Sequence, residues 1–126
     1  MIEDIVAEVM ARPFEWGEAD CCTAACDVHL RLTGIDPMAS YRGAYHGPRG
    51  ALRLIRAEGG LPAMAARMAE AHGMRPCGWH PGALGLAQVR RQMALVIGLD
   101  QPGWWAGKTA GGYAPVREVV AAWRLL

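Results

Sequence analysis

An excess of charge of either sign is missing from this sequence. Thirteen Lys plus Arg stand against twelve Asp plus Glu over 126 residues, a formal +1. That balance leaves no electrostatic footprint for a phosphate backbone or an anionic bilayer, so nucleic-acid binding is not expected. Long apolar runs are missing too. Nothing approaches the roughly 20 residues of a membrane span, and the opening Met1-Ile2-Glu3-Asp4-Ile5-Val6 carries acids where a secretory leader needs positive charge. Membrane insertion is not expected either. Dispersed cysteines are absent: Cys21, Cys22 and Cys26 crowd within six positions and only Cys77 stands apart, unlike a secreted disulfide framework. Free thiols are the expectation. No internal repeat or low-complexity tract interrupts the chain.

What is present suits one folded domain over residues 1–126. Hydrophobic residues make up 52% of the chain and charged ones 20%, and a chain of this length can bury about two-thirds of its unfolded surface. Ile2, Ile5, Val6 and Val9 fall at i, i+3, i+4 and i+7, one face of a helix that Pro13 follows. Asp20 suits the N-cap of a second helix over 21–33, closed by Gly34. Cys21, Ala25, Val28 and Leu32 share a stripe on that helix, so Cys21 begins its buried or half-buried side. The stretch from Gly34 to Gly47 reads as a surface loop. A third helix starts at Pro48 and ends at Gly59-Gly60; a fourth carries Leu61, Met64, Ala65 and Met68 and ends near Gly73. Met at that spacing is core filler before it is a binding groove.

From Gly82 the helical period gives way to short apolar runs. Ala83–Val89 and Met93–Gly98 read as an antiparallel hairpin around Arg90-Arg91-Gln92. Trp104–Lys108 reads as a third strand, and a glycine-rich turn leads to Tyr113-Ala114-Pro115. Val116–Ala122 reads as a closing helix, with Trp123-Arg124-Leu125-Leu126 adding an edge strand or capping the core. Helices first and strands second argue an α+β domain.

Chemistry concentrates in Trp16-Gly17-Glu18-Ala19-Asp20-Cys21. A thiol in the first helical turn lies near unpaired backbone N–H groups and the positive dipole end, which favour thiolate and can hold a developing oxyanion. The same residues also allow a plainer reading, a small packed thiol beside a capping aspartate. Cys26-Asp27-Val28-His29 and Cys77-Gly78-Trp79-His80 are two Cys-x-x-His pairs whose spacing permits a tetrahedral zinc site. The pair at 77–80 holds a tryptophan and both lack knuckle-type flanks, so no metal and no cofactor is expected. Trp16, Trp79 and Trp104-Trp105 fall in loops or strand starts, where rings can stack on sugars or anchor a protein partner, although core packing is expected for at least two of them. Arg90-Arg91 reads as a solvated turn, and His72 as a charge at a helix C-terminus.

Trp-Gly-x-x-Asp-Cys opening a helix, ahead of a late antiparallel sheet, resembles the papain-like cell-wall cysteine peptidases of the NlpC type, specifically a shortened branch common in phage and prophage tail clusters. Thr33-Gly34-Ile35-Asp36-Pro37, Tyr41-Arg42-Gly43-Ala44-Tyr45, Gly59-Gly60-Leu61 and Ala121-Ala122-Trp123-Arg124 extend the resemblance over most of the chain. It implies a papain-like fold, Cys21 as nucleophile with its own N–H as oxyanion donor, Asp20 as helix cap, and Trp16 and Gly17 as packing residues of the motif. The family's general base opens the strand after the first hairpin, and that stretch here is Gln92-Met93-Ala94-Leu95-Val96-Ile97-Gly98. Neither Gln92 nor Met93 accepts a proton at neutral pH. Ala83 also stands where relatives often carry an acid. His80, just before the first strand of the hairpin, and His46, in the surface loop, are the substitute bases to consider.

Two functions follow from the resemblance. The first is a tail assembly or tail-tip component with a degenerate peptidase site, made in the bacterial cytoplasm without a signal peptide and partnered by other tail proteins. The alternative is an active cysteine peptidase or amidase cleaving peptidoglycan peptide stems through Cys21, with His80 or His46 moving the proton.

Overall fold

In the computed structural model, residues 1–125 are described, and they form four helices and a six-stranded antiparallel sheet. The protein is α+β. The first helix, α1 (Ile2–Met10), buries Ile2, Val6 and Met10 at steps of four. The second, α2 (Cys21–Thr33), begins at a capping box. Asp20 accepts from the Cys22 and Thr23 amides, and the Thr23 hydroxyl accepts from the Asp20 amide. Gly34, at φ 80°, closes α2 in the left-handed conformation and donates its N–H to the Leu30 carbonyl. Then α3 (Pro48–Ala57) and α4 (Leu61–Ala71) follow, each with proline in its first turn and parted by Gly59-Gly60.

The strands are β1 (Arg75–Pro76), β2 (Leu84–Val89), β3 (Gln92–Gly98), β4 (Trp105–Lys108), β5 (Tyr113–Val116) and β6 (Ala121–Arg124), in the order β1-β6-β2-β3-β4-β5. The expected hairpin is β2–β3, with Val89 opposite Gln92 and Leu84 opposite Ile97. Helix α2 lies across β3, with two apolar groups flanking it. One gathers α3 and α4 over Cys22, Ala25, Cys26, Leu86 and Leu95; the other gathers α1 over Ala24, Val28 and Ile97. The opposite face of the sheet closes over Trp105, whose ring sits where a Cβ on Gly85 would lie 2.7 Å away. Glycine at 85 is what lets the indole lie flat on β2.

The closing helix expected over Val116–Ala122 does not form. Val116 ends β5, and Ala121 begins β6. Leu84 pairs with Trp123 and Gly85 with Ala122, while the Val120 amide donates to the Leu86 carbonyl and the Cys77 amide to that of Ala122. A short apolar run has little helical preference of its own, and the open edge of β2 offers it a complete hydrogen-bond ladder. Residues Trp123 and Arg124 therefore lie inside the sheet and not at its edge; Leu126, last of that stretch, is outside the described residues. The edge belongs to Arg75–Pro76, where a proline without an N–H is tolerated. No helix among the described residues is long and apolar enough to cross a membrane.

Candidate active site around Cys21

The loop before α2 is tied to the helix by one carboxylate. Asp20 is 1% exposed. Its Oδ1 accepts from the amides of Cys22 (3.0 Å) and Thr23 (2.9 Å), and its Oδ2 accepts from the Gly17 amide (2.8 Å) and the Tyr45 hydroxyl (2.6 Å). Burial, followed by that bond to a carboxylate, pushes the Tyr45 hydroxyl pKa far up, so Tyr45 is a donor and not a base. Gly17 sits at φ 87°, and a Cβ there would lie 2.5 Å from the Tyr45 carbonyl oxygen. Both the left-handed backbone and the close approach require glycine.

Cys21 opens α2 half-buried, with its sulfur 3.8 Å from that of Cys22. The Cys22 thiol donates to it and holds the Cys21 pKa below the ordinary value, helped by the backbone amides of Leu95 and Cys22 and opposed by burial and by the Asp20 charge. Cys22 moves the other way, raised by that same contact and by full burial, and burial raises Cys26 as well. The thiolate at this helix end is thus favoured by a neighbouring thiol rather than by an imidazole. The helix end itself contributes less than the sequence implies. Asp20 occupies the Cys22 and Thr23 amides, and its negative charge offsets the positive dipole end.

Two cavities meet at Cys21. One, of about 460 Å³, runs under α3 and α4 and is lined by Leu52, Leu54, Ile55, Leu61 and Met64 among others. The second, of about 750 Å³, runs over the β2–β3 turn past Phe14, Arg90, Arg91 and Lys108. Trp16, Cys21, Gln92 and Met93 line both. Gln92 and Met93 thus border the same two cavities as the thiol, and they present an amide and a thioether. Trp16, 38% exposed, stacks edge-on against Phe14 with ring centroids 4.9 Å apart.

No histidine lines either cavity. The exposed His80 turns its Nδ1 to the Pro81 carbonyl at 2.9 Å, and its own carbonyl packs against Gly98 at the far end of β3. Three residue steps separate Gly98 from Leu95, whose amide meets the Cys21 sulfur, roughly 10 Å of strand. This placement removes His80 from the thiol. His46 is exposed, beside Gly17, and its ring reaches neither cavity. His29 is buried, its Nδ1 2.8 Å from the Ile35 carbonyl and 3.2 Å from the Thr33 hydroxyl, and burial lowers its pKa.

The two Cys-x-x-His pairs are not assembled: among the described residues no three His, Cys, Asp or Glu side chains group as metal ligands. The tryptophans divide by environment. Trp105 is buried and Trp79 donates its indole N–H to the Trp104 carbonyl at 3.1 Å. The Arg117 guanidinium lies 4.9 Å over the Trp104 ring. Of the four rings, only Trp16 borders the thiol. The sequence reading missed the apolar cavity itself. Its signal was Leu52, Leu54 and Ile55 on α3 facing Leu61 and Met64 on α4, a stripe too wide for one seam.

Comparison with curated proteins and with solved structures returned no match. The model of one family, described as a domain of unknown function (DUF6950), matches residues 1–125. The chain, with its capped Cys21 and twin cavities, belongs to the DUF6950 family.

Proposed function

We propose that this DUF6950 chain is a papain-like domain of the NlpC type that has lost peptidase activity and serves as an assembly or tail-tip component of a phage or phage-like tail, in contact with other tail proteins. The observation that carries the reading is the pair of residues beside the thiol. Cys21 shares both cavities with Gln92 and Met93, the stretch where the resembled peptidases carry their base, and neither side chain accepts its proton. The resemblance over Trp16–Cys21 and the four later motifs supplies the tail association.

Purified peptidoglycan incubated with the protein tests the first half. Release of new amino groups should equal that of a Cys21→Ala blank, and Cys21-dependent release would overturn the reading and restore the peptidase. Tail association is tested by mass spectrometry of purified tails from a bacterium encoding the chain, where the protein should be present in fixed ratio to the tube protein. Its absence from tails would end that half.

The lowered Cys21 pKa favours a second reading, an active cysteine amidase. Alkylation rate against pH separates the two. If Cys22 alone activates the thiol, Cys22→Ala moves the inflection up towards the roughly 8.5 of a free cysteine. An inflection that survives Cys22→Ala and disappears in His46→Ala or His80→Ala would identify a histidine base.

A further inference from the structure

Cys21 stands at the junction of two mainly apolar cavities, of which only the second carries cationic side chains. The cavity under α3 and α4 is walled mainly by aliphatic side chains, with Ala51 and Leu61 buried in its lining and Asp20 and Tyr45 at its border. Its volume, about 460 Å³, falls within the usual range for small-molecule sites. The other cavity carries Arg90, Arg91 and Lys108, the last already donating to the Arg12 and Thr109 carbonyls, and no carboxylate among its lining residues. A ligand spanning both has an apolar body on one side of the sulfur and negative charge on the other. No base stands by to activate water, so a carbonyl carbon captured by the sulfur stays there.

We infer that Cys21 is an S-acylation site, taking a medium- or long-chain acyl group from an anionic acyl thioester, with the chain in the α3–α4 cavity and the anionic carrier over Arg90, Arg91 and Lys108. This rests on the reading of the site as one without a general base. The Cys21 thiolate attacks the thioester carbonyl and a new carbon–sulfur bond forms. The donor's carbon–sulfur bond breaks with its electron pair, and the released carrier thiolate takes up the proton that Cys21 gave to solvent. Thiol and thioester are exchanged, so no oxidant or reductant is consumed. A thiolate leaving group needs no general acid, which is why this transfer proceeds where amide cleavage does not.

The test uses acetyl-, octanoyl- and decanoyl-coenzyme A with the reduced full chain, read by intact mass. A single hydroxylamine-labile acyl adduct at Cys21 is expected, absent in Cys21→Ala and present in Cys22→Ala. Each methylene moved from water into the cavity favours binding by about a factor of four. With partial burial, octanoyl transfer at subsaturating donor should outrun acetyl by about 100-fold or more. Ala51→Phe, which fills the cavity, should abolish that preference while iodoacetamide still labels Cys21. Octanoyl-N-acetylcysteamine, which lacks the phosphates, should react more slowly than octanoyl-coenzyme A, and Arg90→Ala with Arg91→Ala should erase the difference. Equal rates for acetyl and octanoyl donors, or labelling that ignores Ala51→Phe, would overturn the inference. Multiple turnover to free fatty acid would instead overturn the reading of a base-free site, so the two failures are distinct.

Discussion

Replacing Asp20 by alanine is the most direct test of what holds the Cys21 site in place. The substitution removes the N-cap acceptor of α2, worth about 1 kcal/mol in a typical helix. It also strands the Gly17 amide and the Tyr45 hydroxyl, both pointing at a carboxylate that is 1% exposed. A stranded buried donor costs about 1–3 kcal/mol, and because Asp20 and Tyr45 both border the cavity, water can reach part of the gap. Taking the low end for each donor gives a loss of about 3 kcal/mol, a large share of the 5–15 kcal/mol typical of a domain. Thermal midpoints should fall by roughly 10 °C.

Asparagine makes the comparison sharper. It keeps an acceptor for the Cys22 and Thr23 amides, while its NH₂ meets the Gly17 N–H donor to donor; the Tyr45 hydroxyl can turn and accept. The Asn variant should therefore lose about half as much as the Ala variant. Urea melts monitored by tryptophan fluorescence, with equal m-values as the check on two-state behaviour, read both. An Asp20→Ala variant within about 1 kcal/mol of the parent, or an Asn variant no better than Ala, would refute the hub.

Three further outcomes follow from the same geometry. Gly17→Ala should cost more than Gly43→Ala: both glycines have positive φ, 87° and 79°, but only at 17 does the new Cβ meet a carbonyl oxygen, so the roughly 1–2 kcal/mol left-handed cost is shared and the excess in a paired melt measures the clash. His29 has its pKa lowered by burial, so the unfolded chain binds the extra proton first; stability should fall as pH drops through the unfolded value near 6.5, and His29→Gln should flatten that slope in melts between pH 7 and 5. Met93→His puts an imidazole at the mouth shared by the two cavities, and the alkylation profile of Cys21 should then gain a plateau at lower pH; an unchanged profile would mean that residue 93 does not face the sulfur.

The helices were legible because their signals are local. Asp20 and Gly34 bracket α2, and Ile2, Val6 and Met10 keep a step of four along α1. The β2–β3 hairpin was legible for the same reason, its two short apolar runs lying three polar residues apart. β6 was not, because Val119-Val120-Ala121-Ala122 carries no period of its own and its partner, β2, lies more than thirty residues earlier. β1 is two residues long and contains proline; only its pairing with Trp123 and Arg124 makes it a strand. At the site, the cap and the thiol could be read from adjacent residues. Tyr45, which completes the carboxylate's bonding from 25 positions away, had no local sign. The distance of His80 from the thiol depended on which end of β3 meets α2, a tertiary fact.

The motif that suggests a peptidase turns out to have a structural account at nearly every position. Gly17 is required by the Tyr45 carbonyl, Asp20 by the donors of Gly17, Cys22, Thr23 and Tyr45, and Trp16 stacks on Phe14. The later motifs behave alike: Asp36 holds the Arg42 guanidinium at 2.8 Å, Arg42 also reaches Asp27 at 2.6 Å, and Gly34 closes a helix. A chain can keep all of these for folding alone, so their presence says nothing of catalysis. Cys21 is the exception. Its sulfur meets the Cys22 thiol at 3.8 Å and the Leu95 and Cys22 amides, caps no helix, and opens on two cavities. Alanine there removes one half-buried sulfur from the edge of the core and should cost about 1 kcal/mol, the usual loss for a single substitution. If instead Cys21→Ala unfolds the protein, the thiol is packing like the rest of the motif, and no chemistry need be sought at it.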